Sequence, residues 1–259
     1  MKASDPKPVP VAPKHHALVR LTHWIHVPLL LGLIASGLAI YWASPVFQHA
    51  PDPATGSRDY LKDLSMAIAR VWPTSGDPGN WIYDHLSLGT RLLASALRWH
   101  WALAYFFMLN GFLYLLGLVA GGGWRALLPR ASDARDAALM MRYYAGLLPM
   151  AILRRPWPHP EVRGKYNALQ RGAYFMMPIF GALIIASGWA MHKPTQLGWL
   201  EMLFGNYDNA RIVHFVCMIA LGGFLVPHVI LAIADGWDTV RSMIVGWSMR
   251  VKEGGHGRA

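Results

Sequence analysis

Four stretches of the chain run without Asp, Glu, Lys or Arg: Leu21 to Trp42, Trp99 to Trp124, Gly172 to His192 and Ile212 to Ala234. Each is close to or above the ~20 residues that an α-helix needs to cross the hydrocarbon core of a bilayer. The pattern predicts an all-α integral membrane protein, a four-transmembrane-helix bundle with spans at about 20–42, 98–120, 168–190 and 211–234. A cytoplasmic N-terminal tail (1–19) precedes this membrane domain (20–245), and a cytoplasmic C-terminal tail (246–259) follows it.

Polar segments punctuate the spans. Residues 43–97 form a long outer loop broken by PDPATGSRD and PTSGDPGN, with a short amphipathic helix expected at Tyr60 to Val71. Ala137 to Leu153 is apolar, but it is short, carries Arg142 at its centre and contains Pro149. It is predicted as an interfacial helix between the second and third spans, with Arg142, Arg154 and Arg155 toward headgroups. The opening MKASDPKPVPVAPKHHALVR has no apolar core and so does not read as a cleavable signal; the first span serves as an uncleaved anchor.

Composition supports a membrane protein, with 54% hydrophobic and only 15% charged residues. Lys and Arg number 4 from the N-terminus through Arg20, 9 between Arg125 and Arg171 and 4 after Ala234, against 5 and 2 in the two remaining loops. By the positive-inside rule both termini are cytoplasmic. The net charge of +10 then reflects topology and contact with anionic lipid. Nucleic-acid binding is excluded, because the aromatics lie in or beside apolar spans. The single cysteine, Cys217, rules out an internal disulfide, a C-x-x-C-H haem attachment, iron–sulfur clusters and cysteine-rich zinc sites, and is read as a packed small residue.

Histidine placement carries the chemistry. His214 and His228 are 14 residues apart on one apolar span. Both rings therefore project from one helix face, roughly 21 Å apart along the axis, a spacing that suits two haems stacked across a membrane. Counting depth from the ends of the spans makes His23 level with His228 near the cytoplasmic face, and His100 level with His214 near the outer face. His26, one turn deeper, is the rival of His23. His15, His16, His49, His85, His159 and His256 fall in tails or loops, and His192 ends the third span, where it is a candidate to touch a cofactor edge or a partner. Ionisable residues at these depths are costly and signal function, although a lone histidine can also simply hydrogen-bond a neighbouring helix.

The start of the first span (Arg20-Leu21-Thr22-His23-Trp24), Lys165-Tyr166-Asn167-Ala168-Leu169-Gln170 before the third, and Ala210-Arg211-Ile212-Val213-His214 with Pro227-His228 in the fourth resemble the dihaem b-type cytochrome subunits of bacterial membrane oxidoreductases. That group takes in hydrogenase cytochrome b, formate dehydrogenase gamma and thiosulfate reductase cytochrome b, and is often grouped with bacterial cytochrome b561; the likeness covers about residues 16–245. It implies two haem b groups, with axial ligands His23 and His228 on the cytoplasmic side and His100 and His214 on the periplasmic side, in the bacterial inner membrane. Irons with both axial positions filled pass electrons but have no open site for a substrate, so the chain itself holds no catalytic residue.

Arg20, Arg98 and Arg211 are candidates for haem propionates or the haem pocket by charge-assisted bonds, with headgroup anchoring as the alternative. Gly32, Ser36, Gly37, Gly111, Gly181, Gly188, Gly222 and Gly223 leave room for close helix approach or a flat macrocycle. Pro227 loosens the turn before His228. The resemblance also implies a quinone or quinol (menaquinone or ubiquinone) site at Asn167 and Gln170, with Lys165 or His26 as proton sources; capping of the third span is the alternative for the amides. A periplasmic catalytic or electron-transfer subunit, of molybdopterin or iron–sulfur type, is expected on the side of loop 43–97, His192 and the Asn206 to Asn209 turn. Two other readings stay open: a stand-alone quinol-oxidising cytochrome b561, and a non-redox transporter using histidines for proton relay.

Overall fold

A computed structural model describes residues 8–10, 15–43, 85–88, 92–153, 155, 158, 160, 166–234, 237–247 and 249–251. Most of loop 43–97, including the helix expected at Tyr60 to Val71, lies outside these residues, as do His49, His159, His256, Arg154 and Lys165.

The apolar runs fold as helices α1 (Ala17–Ala43), α2 (Leu93–Ala120), α4 (Ala168–His192) and α6 (Tyr207–Ala234). Among the described residues these four are long and apolar enough to cross a membrane. A 3-10 turn at Gly123–Leu127 leads into α3 (Asp133–Ile152), which is not among them. Asp133 and Asp136 occupy the first turn of α3, where the positive helix end favours carboxylates, and Arg142 is exposed on its surface. Two shorter helices among the described residues are α5 (Gly198–Phe204) and α7 (Trp237–Val245).

Pro28, Pro178 and Pro227 lie inside α1, α4 and α6 without ending them. Helices in a bilayer tolerate proline where neighbours and local adjustments re-satisfy the freed carbonyl. Large apolar side chains face outward along the spans: Phe106 is 63% exposed and Val226 61%. An aqueous domain would bury such residues; here they are the lipid-facing surface. What the helices bury against one another is small: Ala39, Ala96, Ala190, Ala210, Ser36 and Ser187 are fully enclosed, the composition that lets membrane helices approach closely.

The departure from an all-helical chain lies in the tails. Strand β1 (Pro8–Pro10) pairs antiparallel with β2 (Met249–Val251), Val9 opposite Arg250. A two-stranded ribbon is all edge, so prolines that cannot donate to a ladder are tolerated in it.

The fold divides into two compact units. The terminal unit comprises residues 1–21, 113–181 and 223–259, and the central unit residues 22–112 and 182–222. In the terminal unit a Cβ at Gly117 would lie 3.0 Å from the Cβ of Leu18, so a glycine is needed where α2 meets α1. Gly246 ends α7 with φ +91° and would, with a Cβ, come 2.8 Å from Arg20 Cζ. In the central unit Gly32 similarly receives Leu103, Asn110 Nδ2 donates to the Thr22 carbonyl at 2.9 Å, and Tyr41 stacks on Phe215.

Candidate functional site

Within the central unit, α2 and α6 bring His100 and His214 together, with ring centroids 6.1 Å apart and planes at 59°. Two imidazoles gripping one metal ion at the ~2.0–2.1 Å of a metal–imidazole bond have centroids about 6 Å apart. Their separation therefore fits a shared six-coordinate iron. Glycine keeps the surroundings open: a Cβ at Gly37 would sit 3.5 Å from His100 Cε1, and one at Gly188 3.2 Å from His214 Cε1. Each ring is also tied to a buried hydroxyl, His100 Nδ1 to Ser36 Oγ at 2.9 Å and His214 Nδ1 to Ser187 Oγ at 3.1 Å.

His26 has an oriented ring as well. Its Nδ1 lies 3.0 Å from the Thr22 carbonyl, and a carbonyl only accepts, so the proton sits on Nδ1. The ring packs edge-on to Phe107, and Nε2 is 4.0 Å from where a Cβ of Gly111 would be. His23 is half-buried and edge-on to Trp24. In the terminal unit, His228 stacks on Phe224 at 5.1 Å and stands edge-on to Tyr174 at 6.0 Å.

The three candidate arginines differ. Arg20 Nη1 donates to the Ile244 carbonyl at the end of α7 at 2.6 Å, while its buried Nε has no partner among the described residues. A buried guanidinium N–H left without an acceptor is what a cofactor carboxylate would satisfy. Arg211 pairs with Asp208 at 2.9 Å on its own helix, and Arg98 is exposed on α2.

Asn167 and Gln170 form a reciprocal cap at the start of α4. Asn167 Oδ1 accepts from the Gln170 N–H at 2.8 Å, and Gln170 Oε1 accepts from the Asn167 N–H at 3.2 Å. The amide oxygens are thereby used by the backbone, and Asn167 Nδ2 donates to Tyr144 Oη at 3.2 Å. One turn on, Arg171 grips Asp133 of α3 through two bonds of 2.9 and 2.8 Å, holding the interfacial helix to the span. The Arg171 guanidinium beside it holds the Asp133 carboxyl below the usual carboxylate range. Burial, with Tyr174 and Tyr114 alongside, pushes the Tyr166 phenol above its ordinary range, so it remains an O–H donor.

Sequence reasoning missed the partners of these groups. Ser36 was legible only as a small residue and Tyr166 only as part of the stretch before the third span, while nothing in the sequence singled out Ser187, Tyr144 or Tyr174. The His192 ring lies tilted at 35° against Trp101 of its own unit, centroids 3.7 Å apart, and Trp101 contacts Trp189 in turn.

A family model described as prokaryotic cytochrome b561 matches residues 14–246. A protein of Azospira oryzae under the provisional name protein-methionine-sulfoxide reductase subunit YedZ1 is 30% identical over 216 residues, which cover 83% of this chain and 87% of that one. No solved structure matches the chain.

Proposed function

The chain is a multi-pass membrane protein that belongs to the prokaryotic cytochrome b561 family, and from that premise we propose that it is a dihaem electron-transfer subunit linking the quinone pool to a periplasmic redox partner. The observation that carries this reading is the pair of imidazoles, His100 and His214, facing one another at 6.1 Å in the central unit. Haem b held between two imidazoles supplies one-electron chemistry and offers no open coordination position to a substrate.

The roles of the chain's own residues follow. His100 and His214 hold the periplasmic-side haem, and His228 with His23 holds the cytoplasmic-side one, His26 being the alternative to His23; this second pairing rests on matched depth in the sequence and on the family resemblance. Arg20 is the favoured partner of a propionate because its Nε is buried with no acceptor among the described residues. Arg98 is exposed and free of the Asp208 contact that occupies Arg211, so it ranks second.

Quinone, whether menaquinone or ubiquinone, is assigned to the α4 start. There the Gln170 amide N–H groups and the Tyr166 hydroxyl are groups of the right chemistry to donate to a carbonyl, Asn167 being largely committed to the cap. His26 is the histidine assigned to proton supply. The inner membrane, cytoplasmic termini and docking of a catalytic subunit on the side of loop 43–97 belong to the same reading, and the name of the Azospira relative supports an oxidoreductase partner.

The test is spectroscopic. Purified protein is expected to show b-type bands in reduced-minus-oxidised spectra and two haems per chain by pyridine haemochrome. A colourless preparation overturns the redox reading and leaves the transporter; haem without a co-purifying subunit after mild detergent extraction favours the stand-alone cytochrome.

A further inference from the structure

The serines that touch the paired imidazoles belong to a repeat absent from the spacing of the histidines: Ile34-Ala35-Ser36-Gly37-Leu38-Ala39 on α1 and Ile185-Ala186-Ser187-Gly188-Trp189-Ala190 on α4. In both copies the serine and the final alanine are fully buried. Each copy faces the histidine of the next long helix in the chain, His100 of α2 and His214 of α6.

The proton inventory decides what these contacts do. A serine hydroxyl has one proton and two lone pairs. Ser36 Oγ lies 2.8 Å from the Gly32 carbonyl and Ser187 Oγ 2.7 Å from the Leu183 carbonyl, so each proton turns back into its own helix. What each hydroxyl presents to the imidazole is a lone pair, and the contact closes only when Nδ1 carries the ring proton. The carbonyls of Leu33 and Ile184 also accept from Ser36 Oγ at 3.1 Å and Ser187 Oγ at 3.2 Å, which keeps each hydroxyl proton on its own helix. Both rings are thereby held in the Nδ1–H tautomer with the Nε2 lone pair free.

We propose that Ser36 and Ser187 are matched positioning residues that fix the tautomer and aim of His100 and His214, making their Nε2 atoms the two axial donors. This inference rests on the reading that those histidines share one haem. The adjoining glycines complete the device: a side chain at Gly188 would press on His214 Cε1 at 3.2 Å, and one at Gly37 would touch His100 Cε1 at 3.5 Å. A histidine ligand that donates its second N–H is a more basic ligand. The two serines therefore favour the ferric state and lower the potential of this haem alone.

Redox titration and haem transfer to apomyoglobin test the proposal on the full chain in detergent. For Ser36→Ala, Ser187→Ala and the double variant, one of the two midpoint potentials is expected to rise while that of the His228 haem stays put and serves as the internal control for folding. Haem loss from the altered site should quicken by on the order of tenfold, and Ser36→Thr, which keeps a hydroxyl, should reverse the shift. Two bound haems with unchanged potentials and loss rates in both single variants overturn the positioning role and leave the haem reading intact. A wild-type protein that binds no haem overturns the reading beneath it. The single variants, each lacking one oxygen atom, carry the test should the double variant not accumulate.

Discussion

His100 and His214 come from helices far apart in sequence, yet their rings face one another with centroids 6.1 Å apart and each Nδ1 tied to a serine. Under the proposed assignment of one haem to this pair, the two act as a unit, because one imidazole alone cannot fill both axial positions.

His100→Ala and His214→Ala are therefore expected to lose the same haem, and His228→Ala the other. Pyridine haemochrome should fall from two haems to one in each, and redox titration should identify which potential disappears. Loss of different haems in His100→Ala and His214→Ala would contradict the pairing.

Asp133 is the anchor of α3 to α4. Its replacement by Asn leaves the Arg171 guanidinium, 4% exposed, without a counter-charge, and breaking a buried pair in this way costs on the order of 3 kcal/mol. The Asp133→Asn protein should melt at a lower temperature in detergent, with both haems still bound when cold. An unchanged melting temperature would remove the pair from the stability of the fold.

The same pair sets an acid limit. Hydrogen bonding from Arg171 comes first among the causes that depress the folded-state Asp133 value. A carboxylate depressed on folding contributes its full stability above its unfolded value of ~3.9 and loses it as pH falls through the lower, folded value. Thermal stability should thus show this contribution in full and independent of pH near neutrality, with an acid-side loss that Asp133→Asn abolishes. A wild-type and variant difference constant down to about pH 2 would argue against this ionisation.

Asn167 separates a cap from a ligand. Asn167→Asp keeps the Oδ1 acceptor for the Gln170 N–H but loses the amide donor now on Tyr144, whereas Asn167→Leu loses both and should cost about 1 kcal/mol as a lost cap. If Asn167 contributes only the cap, Asn167→Asp should keep wild-type rates of haem oxidation by quinone while Asn167→Leu slows them. Equal slowing in the two would assign the amide group itself to the quinone.

Gly246 is constrained twice, by φ +91° and by the Arg20 guanidinium 2.8 Å from a Cβ. Gly246→Ala is expected to destabilise by more than the ~1 kcal/mol of the backbone effect and to displace Arg20 from the Ile244 carbonyl. With Arg20 as a propionate partner, one haem potential should shift as well; a variant with wild-type stability and potentials would deny both roles.

The amino-acid sequence by itself determined the membrane class, because length and apolarity of four uncharged runs leave no soluble alternative, and it set His100 level with His214, since helical rise is regular enough to count; the structure brings the two rings together. It also marked α3 as interfacial through Arg142 and Pro149. Only the tertiary structure decided which polar groups those residues meet. The Ser36 and Ser187 contacts, the Arg171 grip on Asp133 and the burial of Arg20 Nε depend on helix rotation and on pairings between segments distant in the chain, and neither leaves a periodic trace. Asn167 shows the reverse dependence: an amide before a helix reads equally as ligand or cap until geometry reveals that the Gln170 backbone already holds its oxygen.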